Sequence, residues 1–264
     1  MSRLDSIRTI AARASDEHIT FYASSIAYYA FFSIIPLLLL TLAIGSFVGE
    51  EAFAERIIAA VEGHLSASGR EIVNQTLENQ SGQVGASILG VLGLAWSAVK
   101  VVRAIDMAFD EVYAADVETP FTRQILDGVV VLGLVGVGVS LMVGVGTFIS
   151  RPTIVELPYV DLVGWTVLVV GLTIVFLPMY YVMPPQQMSL GAALPGTLVV
   201  SVGWLFLQAG FQLYSRYAAG FEAYGVIGGV LLFLTWLYFA STLLLLGAVV
   251  NAVLEQDLER TSPV

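Results

Sequence analysis

The chain has 264 residues, 57% of them hydrophobic and 12% charged, about half the charged share of a water-soluble domain, which excludes an ordinary soluble fold. Its formal charge of -10 argues against a nucleic-acid phosphate backbone as its main partner. With no cysteine and only His18 and His64 as histidines, disulfides, thiolate catalysis and cysteine-held metals are out of reach. The excess of Asp and Glu, with Lys100 the sole lysine, suits a high-salt habitat.

Residues 1–19 have no apolar core, so a cleaved signal peptide is not expected. Leu4, Ile7, Ala11 and Ala14 recur at helical spacing with Arg3, Arg8 and Arg13 between them, the pattern of a short interfacial helix, a solvated tail being the other reading. The charge-free run from Thr20 to Gly49 is long enough to cross a bilayer and predicts a first span over 20–47, with Pro36 inside it. The segment 50–82 reads as two amphipathic helices outside the membrane. Phe53, Ile57, Val61 and Leu65 recur every four residues, and Ser68 with Glu71 has capping-box spacing before Ile72, Val73 and Leu77. Its glutamates, Glu50, Glu51, Glu55, Glu62, Glu71 and Glu78, read as a solvated acidic face in preference to a cation site.

A second span over 83–103 is expected to continue as a helix beyond the membrane. There Ala98, Val102, Ile105, Phe109 and Val112 form an apolar stripe, and Lys100, Arg103, Asp106 and Asp110 a salt-bridged polar one. A third span follows over 126–149. The run from Leu162 to Ser215 would extend about 80 Å as one helix, against a hydrocarbon core of about 30 Å, so it must cross twice. Met183-Pro184-Pro185-Gln186-Gln187 supplies the break, giving spans over 160–182 and 190–214, and the last span covers 224–252. The expected fold is all-α: one polytopic membrane domain over 1–264, with six transmembrane helices and an extracytoplasmic helix pair between spans 1 and 2.

Orientation follows from the basic residues near span ends. With the N-terminus inside, the cytoplasmic segments hold Arg3, Arg8, Arg13, Lys100, Arg103, Arg123 and Arg260, and the outer ones Arg56, Arg70, Arg151 and Arg216. Both termini are therefore expected in the cytoplasm, with the lipid bilayer of the cell membrane as surroundings.

Catalytic patterns are thin. HExxH and GxxxxGK[ST] are absent, and no predicted span contains a histidine to serve a buried serine. No catalytic residue, cofactor or metal ligand is assigned, and the chain is not read as an enzyme. Polar residues inside the spans are the better clue: Ser25, Tyr29 and Ser33 in the first, Gln208 and Gln212 on one face of the fifth, and Asn251 near the end of the sixth. They would line a substrate path or join helices by hydrogen bonds, the latter being the simpler role. Gly82, Ala86 and Gly90, then Gly136, Ser140 and Gly144, then Gly225 and Gly229 have the small-xxx-small spacing of close helix contacts. That spacing supports a compact bundle and leaves a homo-oligomer open.

The segments Ser25-Ile26-Ala27-Tyr28-Tyr29-Ala30-Phe31-Phe32-Ser33-Ile34-Ile35-Pro36, Trp96-Ser97-Ala98 with Arg103-Ala104, Leu194-Pro195-Gly196, Tyr224-Gly225-Val226-Ile227-Gly228-Gly229, Trp236-Leu237-Tyr238, and Leu246-Gly247-Ala248 through Asn251 occur in that order. The combination resembles the YihY / virulence factor BrkB family of integral membrane proteins, once labelled ribonuclease BN, over about residues 15 to 256. The resemblance implies a six-span cytoplasmic-membrane protein associated with transport or envelope roles. Two departures stand out. Gly247-Ala248-Val249 stands where relatives commonly read Gly-Ala-Glu, and Pro184 to Gln187 carries none of the basic residues that relatives often place between spans four and five. The resulting expectation is transport or permeation of a small molecule or lipid. A noncatalytic scaffold binding envelope partners is the rival, and a membrane ribonuclease a disfavoured third.

Overall fold

A computed structural model describes residues 3–15, 17–34, 36, 83–114, 120–149, 160–218 and 225–261. Among them are seven α-helices and no strand: α1 (Arg3–Ala14), α2 (Glu17–Phe32), α3 (Gln83–Val112), α4 (Phe121–Ile149), α5 (Val160–Val182), α6 (Leu190–Ala218) and α7 (Gly225–Thr261). The fold is all-helical, as composition required. The amphipathic pair expected over 50–82, with Gly82, and the first span beyond residue 36 lie outside the described residues.

Among the described residues, four helices are long and apolar enough to cross a membrane, over Phe121–Gly138, Gly164–Val182, Leu190–Tyr214 and Gly228–Gln256. Their termini have local causes. Pro184 and Pro185 cannot continue α5, whose last backbone bond runs from Met183 N–H to Met179 O at 3.2 Å. Ser189 caps α6, its Oγ accepting the Ala192 N–H at 3.2 Å, as a serine N-cap does for an otherwise unpaired helix donor. Pro120 leads into α4, its carbonyl accepting from Arg123 N–H at 2.9 Å and Gln124 N–H at 3.0 Å. Beyond α3 the chain turns at Ala114, whose φ of 50° is the left-handed conformation that closes many helices. The 30 residues of α3 extend about 45 Å, confirming the helical continuation past residue 103.

The chain divides into two compact units. The larger comprises Met1–Ala27, Val102–Phe221 and Thr235–Val264. One face of α6 is apolar, with Leu198, Val202, Phe206 and Leu213 exposed, whereas on the other Thr197 and Ser201 are fully buried. Apolar side chains outside and hydroxyls inside is the arrangement of a helix facing lipid. The smaller unit comprises Tyr28–Val101 and Glu222–Leu234. Its described part is rich in aromatic contacts, with ring centroids of Tyr28 and Phe32 4.6 Å apart and those of Phe31 and Phe233 6.3 Å apart. There Gly93 packs against Pro36, the site of a Cβ on it lying 3.1 Å from the proline ring.

Candidate functional site

The six polar residues singled out from the sequence separate into three groups. On α2, Ser25 Oγ donates to Phe21 O at 3.1 Å and Ser33 Oγ to Ala30 O at 2.6 Å, so both hydroxyls are satisfied within their own helix. Tyr29, half-buried, stacks edge-on with Tyr28 at 5.5 Å. Gln208 and Gln212 are exposed, one turn apart on α6. Asn251 is fully buried on α7 and meets the opposite part of α6. It contacts Gly196, and the twelve residues from there to Gln208 span about 18 Å.

Asn251 bonds the α6 backbone on both sides of Pro195. Proline has no N–H to give, and the next one, on Gly196, donates to Asn251 Oδ1 at 2.6 Å, while Asn251 Nδ2 donates to Ala193 O at 3.0 Å. Only glycines allow this approach. A Cβ on Gly196 would overlap the carbonyl oxygen of Gly247, and one on Gly247 would lie 2.6 Å from the Tyr180 hydroxyl. Tyr180 in turn donates to Leu244 O at 2.7 Å. Tyr113, at the foot of α3, hydrogen-bonds Asn251 from the other side and reaches Met188 Sδ at 3.8 Å. Burial pushes the Tyr113 phenol well above its ordinary range, with the Glu255 charge adding and the Asn251 bond opposing.

Nearby, Gln186 Nε2 donates to Glu255 at 2.6 Å, Arg13 to Gln256 Oε1 at 3.0 Å, and His18 Nδ1 lies 3.1 Å from Glu111 Oε1. These contacts bring the end of α1, the start of α2, the end of α3, the α5–α6 turn and the last part of α7 to one end of the larger unit.

At 3.6 residues per turn, Thr197, Ser201, Gln208 and Gln212 fall within about 60° of one another on α6. Towards the Asn251 end the line is buried, with Thr173 Oγ1 donating to Ser201 Oγ at 3.1 Å. At the other end both glutamines are exposed. Between the two parts lies Trp204, its ring 5.2 Å from Phe176 and 5.5 Å from Trp236, and Trp236 also meets Phe211, beside Gln212, at 6.0 Å.

A second polar feature escaped the sequence reading. The stripe of Lys100, Arg103, Asp106 and Asp110, expected to be a salt-bridged face, is split. Arg103 is exposed, Lys100 lies 5.1 Å from the centroid of the Trp96 ring, and Asp106 is only 1% exposed. Asp106 faces α4, where Gln124 hydrogen-bonds its carboxyl; among the described residues no donor reaches its buried Oδ2. One turn along, a Cβ on Gly128 would overlap the Val102 side chain, so α3 and α4 are in close contact beside the carboxyl. Burial raises Asp106 from 3.8 to about 6, Asp110 and Asp127 adding to the shift while Gln124 and Arg123 oppose it. The only sequence signal was register: Asp106 lies one turn from Val102 and three residues from Phe109, both on the apolar stripe.

Of the expected packing residues, Gly90 is buried, but among the described residues a Cβ on Gly136 or Gly229 would meet nothing within 4 Å. Ser140 is exposed and bonds Gly136 O at 2.8 Å. The side-chain surroundings of Ala86, Gly144 and Gly225 are outside the described residues. The tight approaches fall at Gly93, Gly128, Gly138, Gly196, Gly203 and Gly247.

Comparison with known proteins places these features in a family. The chain is 26% identical over 249 residues to YfkH of Bacillus subtilis, whose name describes it as ribonuclease-like, covering 89% of each chain. It is 29% identical over 271 residues to the UPF0761 membrane protein azo3165 of Azoarcus, covering 97% of this chain and 65% of that longer one. It is 25% identical over 264 residues to a UPF0761 membrane protein of Coxiella burnetii, covering 93% and 91%. No solved structure matches. The sequence profile described as Virulence factor BrkB matches residues 10–263, and the chain therefore belongs to the BrkB family of membrane proteins.

Proposed function

We propose that the chain is a six-span protein of the cell membrane, both termini cytoplasmic, that moves a small molecule or lipid along the polar face of α6. The observation that carries this reading is the line Thr197, Ser201, Gln208, Gln212, open at the glutamines and buried at the hydroxyls, with Trp204 between the two parts and packed against Phe176 and Trp236. Exposed glutamine amides are costly against hydrocarbon, so an aqueous recess beside them is the simplest surrounding. The aromatic rings act as the closure, and opening them joins the glutamines to the hydroxyls. The Arg13–Gln256 hydrogen bond supports an even number of crossings by bringing the two ends of the chain to one side. The distribution of basic residues supports the cytoplasm as that side.

The ribonuclease-like name belongs to YfkH and is not carried over, because a net charge of -10 opposes phosphate-backbone binding. Single cysteines at Gln208, Gln212, Ser201 and Asn251, labelled in intact membranes with an impermeant thiol reagent, test the reading. Labelling at the two glutamine sites and at Ser201 supports a pathway. Protection of all four, with loop positions labelling, overturns it in favour of a noncatalytic scaffold.

A further inference from the structure

The α3–α4 junction contains a buried acid that the α6 pathway does not use. Asp106 is 1% exposed and receives a hydrogen bond from Gln124, itself 7% exposed. Val102 and Gly128 close the junction one turn away, too tightly for even a methyl group on the glycine. Buried polar side-chain atoms are normally hydrogen-bonded, yet among the described residues no donor reaches Oδ2.

The groups around it make the deficit worse. Asp110 follows one turn along α3, and α4 presents Asp127, Gln124 and Arg123. The Arg123 Nε lies 3.4 Å from Asp127 Oδ2, so much of its charge is directed to that partner. An aliphatic residue would fill the same position without burying a charge, and an unpaired buried carboxylate is costly.

We propose that Asp106 is a proton-binding site: its Oδ2 takes up and releases a proton at the α3–α4 junction, with Gln124 holding the other carboxyl oxygen in place. Uptake forms the Oδ2–H bond and neutralises the carboxylate; release returns the proton to water at the junction's open edge, where Arg123 is exposed. A proton fits better than a metal ion. Among the described residues no three acidic or histidine side chains gather as a metal would need, and the neighbouring guanidinium repels a second cation. The lift of the carboxyl to about 6 agrees with this geometry and places the exchange within reach of ordinary changes in cellular pH. The site stands independently of the transport reading, since it requires only the α3–α4 packing.

Infrared difference spectra of the full chain in lipid nanodiscs, stepped from about pH 4.5 to about pH 8, test it directly. The expected result is a protonated-carboxyl band in the wild type that disappears with a midpoint near 6 and is missing in Asp106→Asn. With Asp106 intact, Asp127→Asn should lower the midpoint and Gln124→Leu raise it, each by about 0.3 to 1 pH unit. These two variants keep the test valid should Asp106→Asn fold poorly. Identical spectra for wild type and Asp106→Asn, or midpoints unmoved by both neighbouring substitutions, would overturn the proposal.

Discussion

Asn251 on α7 supplies the acceptor for the Gly196 N–H on α6, at 2.6 Å, in the residue immediately after the one that has no N–H to donate. The side chain thus works as part of another helix's backbone. Replacing Asn251 with leucine removes the side-chain acceptor of the Gly196 N–H and a donor to Ala193 O. An unmade buried bond costs about 1 to 3 kcal/mol, so Asn251→Leu should lower the thermal midpoint of the detergent-purified protein. Asn251→Gln, whose longer chain cannot repeat the geometry, should recover little of it.

The Gly196–Gly247 approach gives a paired prediction. A methyl group on Gly196 meets the Gly247 carbonyl and lies 2.7 Å from the Asn251 carboxamide carbon. Both obstacles are fixed by hydrogen bonds, so overpacking of about 1 to 3 kcal/mol is expected. Gly136→Ala is the control: among the described residues nothing lies within 4 Å, and the gain in helix propensity favours alanine by up to about 1 kcal/mol. Melting curves should therefore move in opposite directions for the two substitutions.

How far the sequence foretold these contacts depends on whether the cause was local. The α5–α6 break was legible because two adjacent prolines stop a helix wherever they occur, and α5 does end at Val182. The helical continuation past residue 103 was legible from periodicity alone. The Gly196–Gly247 contact was not, because one glycine in a chain with 25 of them acquires a partner only when two helices cross. Small-xxx-small spacing even pointed to Gly136, whose surroundings are open. Asp106 was misread for the same reason. Its i, i+4 charge pattern with Asp110 looks solvated on a lone helix, and it is the Gln124 and Gly128 face of α4, distant in sequence, that buries it.

The proton equilibrium at Asp106 also sets the sign of a stability profile. Its folded value, about 6, lies above the ordinary 3.8, so the native protein binds more protons than the unfolded chain between those values. Its contribution is fully present below about pH 4 and is lost as pH rises through about 6. The difference corresponds to about 3 kcal/mol at most. Stability of the wild type should therefore fall across this window relative to Asp106→Asn, which carries no charge to bury. Thermal midpoints of the two proteins, compared at matched pH, should converge near pH 4 and separate above pH 6, with the asparagine variant the more stable.

The aromatic rings offer a prediction that separates closure from simple packing. Trp204 contacts both Phe176 at 5.2 Å and Trp236 at 5.5 Å, and lies between Ser201 and Gln208 along α6. If these rings keep water from the hydroxyls, Trp204→Ala opens a route to them. A cysteine at Ser201 should then label about tenfold faster with an impermeant thiol reagent, since the aqueous fraction at the site rises as the barrier falls by about 1.4 kcal/mol. A cysteine at Gln208, already exposed, should label at an unchanged rate. Truncation that merely loosened the fold would speed labelling at Ala108→Cys as well, because that position is fully buried on α3, away from the polar line of α6. Acceleration at Ser201 without acceleration at Ala108 therefore identifies Trp204 as part of a closure, and equal acceleration at both shows that the ring only supports the bundle.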